Sequence, residues 1–267
     1  NKIMGKYFQK TFRPDIINGD VSVVIGNQTP DATDAPFANK DLLFDWQAID
    51  IPLGTDAIVD GLVHMYGEDG GGQALKDFFL LIGKSNNGSA PTTLGNVNSS
   101  LASSECFELP DVLMGVMSFE GDSTRAGAFE LGGPAGTVYH FNTTTSGGQT
   151  APVVIHPEYN ALGSRVTNRI YVAGIAGGAF DFSTGVQPTA QVATSSGTIA
   201  VDGTDPRKVF RVGDIVYTNT ENTPCGTIAS MTSSQIVLNA NTAVQIEDNE
   251  ELVNAKPITV TLGFQGK

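Results

Sequence analysis

At 267 residues the chain can bury one large core or two smaller ones, and with only two cysteines it does not depend on a disulfide framework. Twenty-eight acidic residues against 15 basic ones give a net charge of −13, which argues against nucleic acid or an anionic membrane as a partner. Charged residues are 16% of the chain and glycines number 31, a composition that favours turns over long solvated helices.

The N-terminal twelve residues, NKIMGKYFQKTF, are basic and partly aromatic at the head of an acidic chain. They read as a possible docking arm, with Lys2, Lys6 and Lys10 supplying charge and Tyr7, Phe8 and Phe12 supplying rings for an acidic neighbour. No apolar run follows the lysines, so no leader peptide is expected, and no stretch of 18 apolar residues predicts a membrane span. Residues 20–25 (DVSVVI) form the first predicted strand, and residues 31–40 a polar loop. Residues 42–51 (LLFDWQAIDI) alternate in part, with Phe44, Trp46 and Ala48 expected on one side. Strands over 58–66 and 77–83 flank the glycine-rich tip 67–72, with a short helical turn predicted at 73–76. Residues 85–104, rich in Ser, Asn, Gly and Thr, read as a long surface loop. Further strands are predicted over 113–119, 137–141, 152–155 and 168–175.

The composition shifts over residues 184–197, and a domain boundary is expected at 190/191. Beyond it lie five short predicted strands: 197–201, 208–217 with a turn at Gly213 and Asp214, 225–231, 234–238 and 245–252. Residues 258–264 (ITVTLGF) alternate strictly, with Ile258, Val260, Leu262 and Phe264 on one face. This final strand fits a sheet in either domain. The expected fold is all-β: a jelly-roll-like β-sandwich over 1–190, then a small five-stranded β-barrel over 191–267, with few short helices.

Chemistry is sparsely signalled. His64, His140 and His156 lack partners at metal-binding or catalytic spacing and read as structural. No serine sits in a G-x-S-x-G frame, and residues 67–76 hold glycines and a lysine at the wrong spacing for a phosphate loop. Carboxylates gather at Glu68 and Asp69, at Asp202, Asp205 and Asp214, and over 247–251 (EDNEE). Neighbours on a strand point to opposite faces, so solvated loops are expected, with calcium as the weaker alternative. Cys106 and Cys225 read as inert thiols, and Phe78, Phe79, Phe180 and Phe182 as core rather than a stacking platform. No enzymatic activity and no cofactor are expected.

The run FRVGDIVYTNTENTPCGTIASMTSSQIVLNANTAVQIEDNEELV, residues 210–253, has a VGD turn, a Gly-Thr-Ile strand, a Ser/Thr hinge, an Ile-Val-Leu strand and a closing I-x-D-N-E-x-L. It resembles a small β-barrel module of tailed-phage virion proteins. The block LLFDWQAIDIPLGTDAIVDGLVHMYGEDGG, with DFFLLIGKS, is similar to virion structural proteins of marine, T4-like phages. The resemblance implies a non-enzymatic virion protein, assembled in the host cytoplasm and decorating the outer surface of the head. It also implies a major capsid protein and further copies of this chain, by analogy a trimer, as partners. A tail, neck or baseplate protein and a carbohydrate-binding or adhesin module are the alternatives.

Overall fold

The computed structural model describes residues 6–17, 37–67, 76–101, 108–119, 121, 128–130, 137–142, 152–156, 168–220 and 222–266. The described residues form nine strands before the barrel: β1 (Lys6–Phe12), β2 (Leu42–Asp50), β3 (Thr55–Met65), β4 (Phe78–Gly83), β5 (Leu113–Phe119), β6 (Ala128–Glu130), β7 (Thr137–Asn142), β8 (Val153–Val154) and β9 (Arg169–Ala176). Then come β10 (Val186–Pro188), β11 (Thr198–Gly203), β12 (Ile215–Thr218), β13 (Gly226–Thr232), β14 (Gln235–Leu238), β15 (Leu252–Asn254) and β16 (Ile258–Gly266). The one α-helix among them is a single turn, α1 (Leu109–Val112). None of the described helices is long and apolar enough to cross a membrane. The predicted strand at 20–25 and the glycine-rich tip with its helical turn, apart from Gly67 and Lys76, lie outside the described residues.

Two antiparallel sheets face each other as a sandwich. The first has the order β1-β16-β3-β7-β6, with β8 also on β3, and the second has the order β2-β9-β4-β5. Their inner faces meet through rings: Phe12 of β1 lies edge-on to Phe44 of β2 at 6.4 Å, and Phe78 of β4 edge-on to Tyr139 of β7 at 4.9 Å. Such edge-on pairs place the positive ring edge on the negative face and restrict how the sheets can slide. The last strand, β16, lies between β1 and β3, so the end of the described chain is built into the first sheet. Ile258, Val260, Leu262 and Phe264 are all buried, as their alternation predicts.

Strand β2 departs from its expected pattern. Register shifts between Leu42 and Phe44 and between Phe44 and Gln47 break its alternation. Phe44 is buried, Trp46 half-buried and Ala48 exposed, while Ile49 and Ile51 turn inward. A bulge reverses the facing of every later side chain, which a fixed period of two cannot anticipate. Gly174 on β9 supplies the opposing gap: a side chain there would collide with the Phe44 ring.

The loop at 85–101 does more than cover the surface. Leu94 and Val97 are buried, and Leu94 joins Leu42, Leu81 and Ala173 in a second apolar cluster bordered by Trp46 and Leu101. Asp45 accepts from the Leu94 amide at 3.1 Å, and Trp46 Nε1 donates to Thr92 O at 3.0 Å. The second sheet is therefore covered on both faces.

The barrel-like sheet has the order β10-β11-β14-β13-β12-β15. It has six strands rather than the five expected, because β10 is three residues long and its Val-Gln-Pro sequence has no strand periodicity, and of the predicted strands 208–217 and 245–252 only the ends pair, within β12 and β15. Its core is aliphatic, with Ile199, Val216, Ile228, Ile236, Ile246 and Leu252 buried beside Cys225. One continuous apolar cluster links this core to that of the sandwich.

Candidate docking edge and the seam between sandwich and barrel

Of the six predicted docking residues, Lys2 lies outside the described residues and the other five fall within β1. This strand is the edge of the first sheet, paired on one side with β16 from Lys6 opposite Gly266 to Phe12 opposite Val260. Burial rather than alternation divides the five, since Lys6, Phe8, Lys10 and Phe12 share one face of the strand and Tyr7 lies on the other. Phe8 stacks on Phe264 with ring centres 5.0 Å apart, and Phe12 packs on Phe44, so both are half-buried in the chain's own core. Lys6, Tyr7 and Lys10 are exposed, Tyr7 by 55%.

The outward face of β1 is tied down by polar contacts. Gln9 Nε2 donates to Tyr7 Oη at 2.9 Å, and the hydroxyls of Thr11 and Thr261 lie 2.8 Å apart. Tyr7 Oη reaches Asp60 Oδ2 on β3 at 3.4 Å, and His140 Nε2 on β7 lies 2.9 Å from the other oxygen of that carboxylate. The result is a basic edge held firmly by its own sheet on one side, whose other side pairs with no strand among the described residues.

Immediately after β1 the chain crosses to the barrel. Arg13 grips both oxygens of Asp214 through its two terminal nitrogens and also donates to Lys256 O. Asp214, only 5% exposed, accepts in addition from the Arg211 amide at 2.8 Å and from Asn254 Nδ2 at 3.1 Å. The turn at 211–214 creates this acceptor: the Asp214 amide donates to Arg211 O while its carboxylate caps the Arg211 amide. Asn254 donates also to Val209 O, locking β15 to the same turn. A forked guanidinium on a carboxylate that receives two further donors is the geometry in which a partly buried ion pair keeps its hydrogen bonds satisfied.

Tyr66, at the end of β3, is buried against this network. Burial pushes its phenol well above its ordinary value, the charges of Asp214 and Glu251 add to the rise, and Arg13 and the side chain of Asn254 oppose it. Glu251 is buried as well, with Oε1 accepting from the amides of Thr184 at 2.6 Å and Gly185 at 3.1 Å. Glu250 is buried and accepts from the Thr220 hydroxyl and the Glu247 amide. The acidic run is thus half structural rather than the solvated loop expected, because backbone amides replace water around two of its carboxylates.

The remaining chemical candidates are dispersed. His64 is half-buried on β3, and His156 is exposed with its amide on Met114 Sδ at 3.3 Å. Asp205 caps Arg207, Asp202 is exposed, and Cys225 is a buried thiol; Glu68, Asp69 and Cys106 lie outside the described residues. Among the described residues no three His, Cys, Asp or Glu side chains converge as a metal site would require. Phe78, Phe180 and Phe182 are buried core, and Phe79 is half-buried. The seam itself escaped sequence reasoning. The only local signal was the turn aspartate of VGD, and its arginine lies 201 residues away. The chain matches no family model, no curated protein and no solved structure.

Proposed function

We propose that this chain is a non-enzymatic structural protein of a phage particle, bound to the outer surface of the head as a decoration or cement protein. The observation that carries the reading is the exposed basic edge of β1. Lys6 and Lys10 are presented on a rigid strand by a chain of net charge −13. An open strand edge accepts another chain through main-chain hydrogen bonds, and two lysines select an acidic one. The major capsid protein is the partner in this reading. Further copies of this chain stand beside it, so that modest contacts repeated over a lattice add up to firm attachment. The resemblance of residues 210–253 to a virion barrel module supports the same assignment.

The test uses phage heads stripped of decoration, sedimented with the purified protein and quantified by gel. Saturable, salt-sensitive binding at a stoichiometry set by the capsid lattice is expected, weakened at least tenfold in the double variant Lys6→Glu, Lys10→Glu. Binding to tails, or to glycans on an array, with none to heads would replace this reading by a tail, neck or baseplate role or by a carbohydrate-binding one.

A further inference from the structure

A chain poor in basic residues concentrates several of them in one cleft between sandwich and barrel. Arg13, Lys208, Arg211 and His64 line it, with Tyr66, Val209, Phe210, Pro257 and Thr259 as the remaining wall. We infer that a single oxyanion group binds across the mouth of this cleft, whose enclosed volume of about 10 Å³ has room for one of its oxygens, and that the bound group bridges the two parts of the fold.

The charge balance is the first argument. Arg13, Lys208 and Arg211 bring three positive charges, and Asp214, gripped by Arg13, and Glu251, whose charge reaches Tyr66, return two negative, so the cleft keeps a formal +1. The whole chain carries −13. Asp205 is close enough to Lys208 to feel its charge, but that carboxylate is occupied by the Arg207 guanidinium at 2.7 Å. Neither the Lys208 ammonium nor the Arg211 guanidinium has an ion-pair partner among the described residues, and both side chains are exposed at the mouth.

The second argument is an unused donor. Arg13 commits its two terminal nitrogens to Asp214 and Lys256 O, while its Nε is buried with no hydrogen-bond partner. A buried N–H is ordinarily satisfied, and an acceptor arriving in the cleft would satisfy this one. The third argument is the wall. Val209, Phe210 and Pro257 are buried apolar surfaces, which lower the local dielectric and strengthen any ion held among the charges. Guanidinium forks and a mobile ammonium suit the oxygens of a carboxylate, sulfate or phosphate.

Two sources supply that chemistry: a free inorganic oxyanion, or the carboxylate of an Asp or Glu side chain from another polypeptide. The inference is independent of the capsid reading, since it concerns the seam and not the β1 edge. The chain has three histidines, and one of them lines the cleft, which provides a direct reporter. The Cε1–H signals would be recorded by NMR at fixed pH and assigned with His64→Gln. Sodium sulfate would be titrated against sodium chloride at equal ionic strength, and hexaglutamate against hexaglutamine.

A saturable shift of His64 in sulfate, with His140 and His156 unmoved, is expected. It should weaken at least tenfold in the double variant Lys208→Gln, Arg211→Gln, whose unchanged His140 signal verifies the fold. Tighter binding of hexaglutamate than of sulfate assigns the site to a protein carboxylate; response to sulfate alone assigns it to a free ion. Identical responses to both salts with none to hexaglutamate, or equal binding by the double variant, would overturn the inference.

Discussion

Every ring-to-ring contact among the described residues lies in the sandwich or at its margin, from Phe8 on Phe264 to Phe180 on Phe182, whereas the barrel packs aliphatic side chains around Phe210. The pairing distances differ too. Strands β13 and β14 form a tight hairpin with Thr232 opposite Gln235, while β1 and β16 join residues 250 apart, Thr11 with Thr261. A barrel assembled from near neighbours can close early on local contacts. A sandwich whose edge strand waits for the end of the chain needs strong, directional side-chain pairs to fix distant partners.

The largest effect should come from the long-range pairing. Phe264→Ala removes a fully buried ring stacked on Phe8 and should cost about 4 kcal/mol in denaturant unfolding. The chain's one tryptophan, Trp46, lies in β2, so its fluorescence follows the sandwich, and far-UV circular dichroism follows both parts. Coincident transitions would make the two regions one cooperative unit, and separated ones would sharpen the contrast.

Asp214→Ala comes next. It strands the Arg13 charge at the seam, at a cost of about 2–3 kcal/mol, below the range for a fully buried pair because Arg13 keeps 21% exposure. Uncoupling of the two transitions is the signature to look for. Gly203→Ala should strike the barrel alone. This residue has φ +72°, and a side chain there would collide with Gly185 O, so a loss of more than about 1 kcal/mol is expected.

Alkaline pH offers a probe that leaves the sequence intact. Burial pushes the Tyr139 phenol up to about 12, against the opposing Lys76 amide, and raises Tyr66 well above its ordinary range. A folded pKa above the unfolded one means that this stability is complete below about pH 10 and fades as pH rises through the folded value. Loss of the Trp46 signal should therefore begin above about pH 10. The smallest effect belongs to Arg169→Ala. Its pair with Asp50, at 2.7 Å, lies in solvent, and no change in Tm is expected; a drop of several degrees would mean that this surface pair is coupled to the core.

Alternation made β16 readable as a strand, since Ile258, Val260, Leu262 and Phe264 share a buried face. Its neighbours were not readable, because nothing local distinguishes pairing with β1 from pairing with the barrel. Strand β2 was recognisable as extended chain, yet its inward face was misassigned beyond Phe44, where bulges reset the phase. The loop at 85–101 hid its role behind composition: Leu94 and Val97 are two apolar residues among many small polar ones, and they form the buried part. At the candidate sites, the exposed charge of Lys6 and Lys10 was legible from sequence. The inward turn of Phe8 and Phe12 became visible only once β16 supplied Phe264 and β2 supplied Phe44 as their partner rings. The seam and its cleft depend on Arg13 meeting a turn two hundred residues later, a proximity that only folding creates.

The insertion of β16 between β1 and β3 has a consequence in time. At about 5–20 residues per second, the ribosome makes β16 tens of seconds after β1. During that wait Phe8 lacks Phe264, while the hairpins of the barrel are already available to pair. Lys6 and Lys10 sit on the same half-finished strand, and charge on an unpaired strand discourages adhesion to a neighbouring nascent chain. On that principle the two lysines would act first on the unfinished strand, before the protein has a folded surface to present.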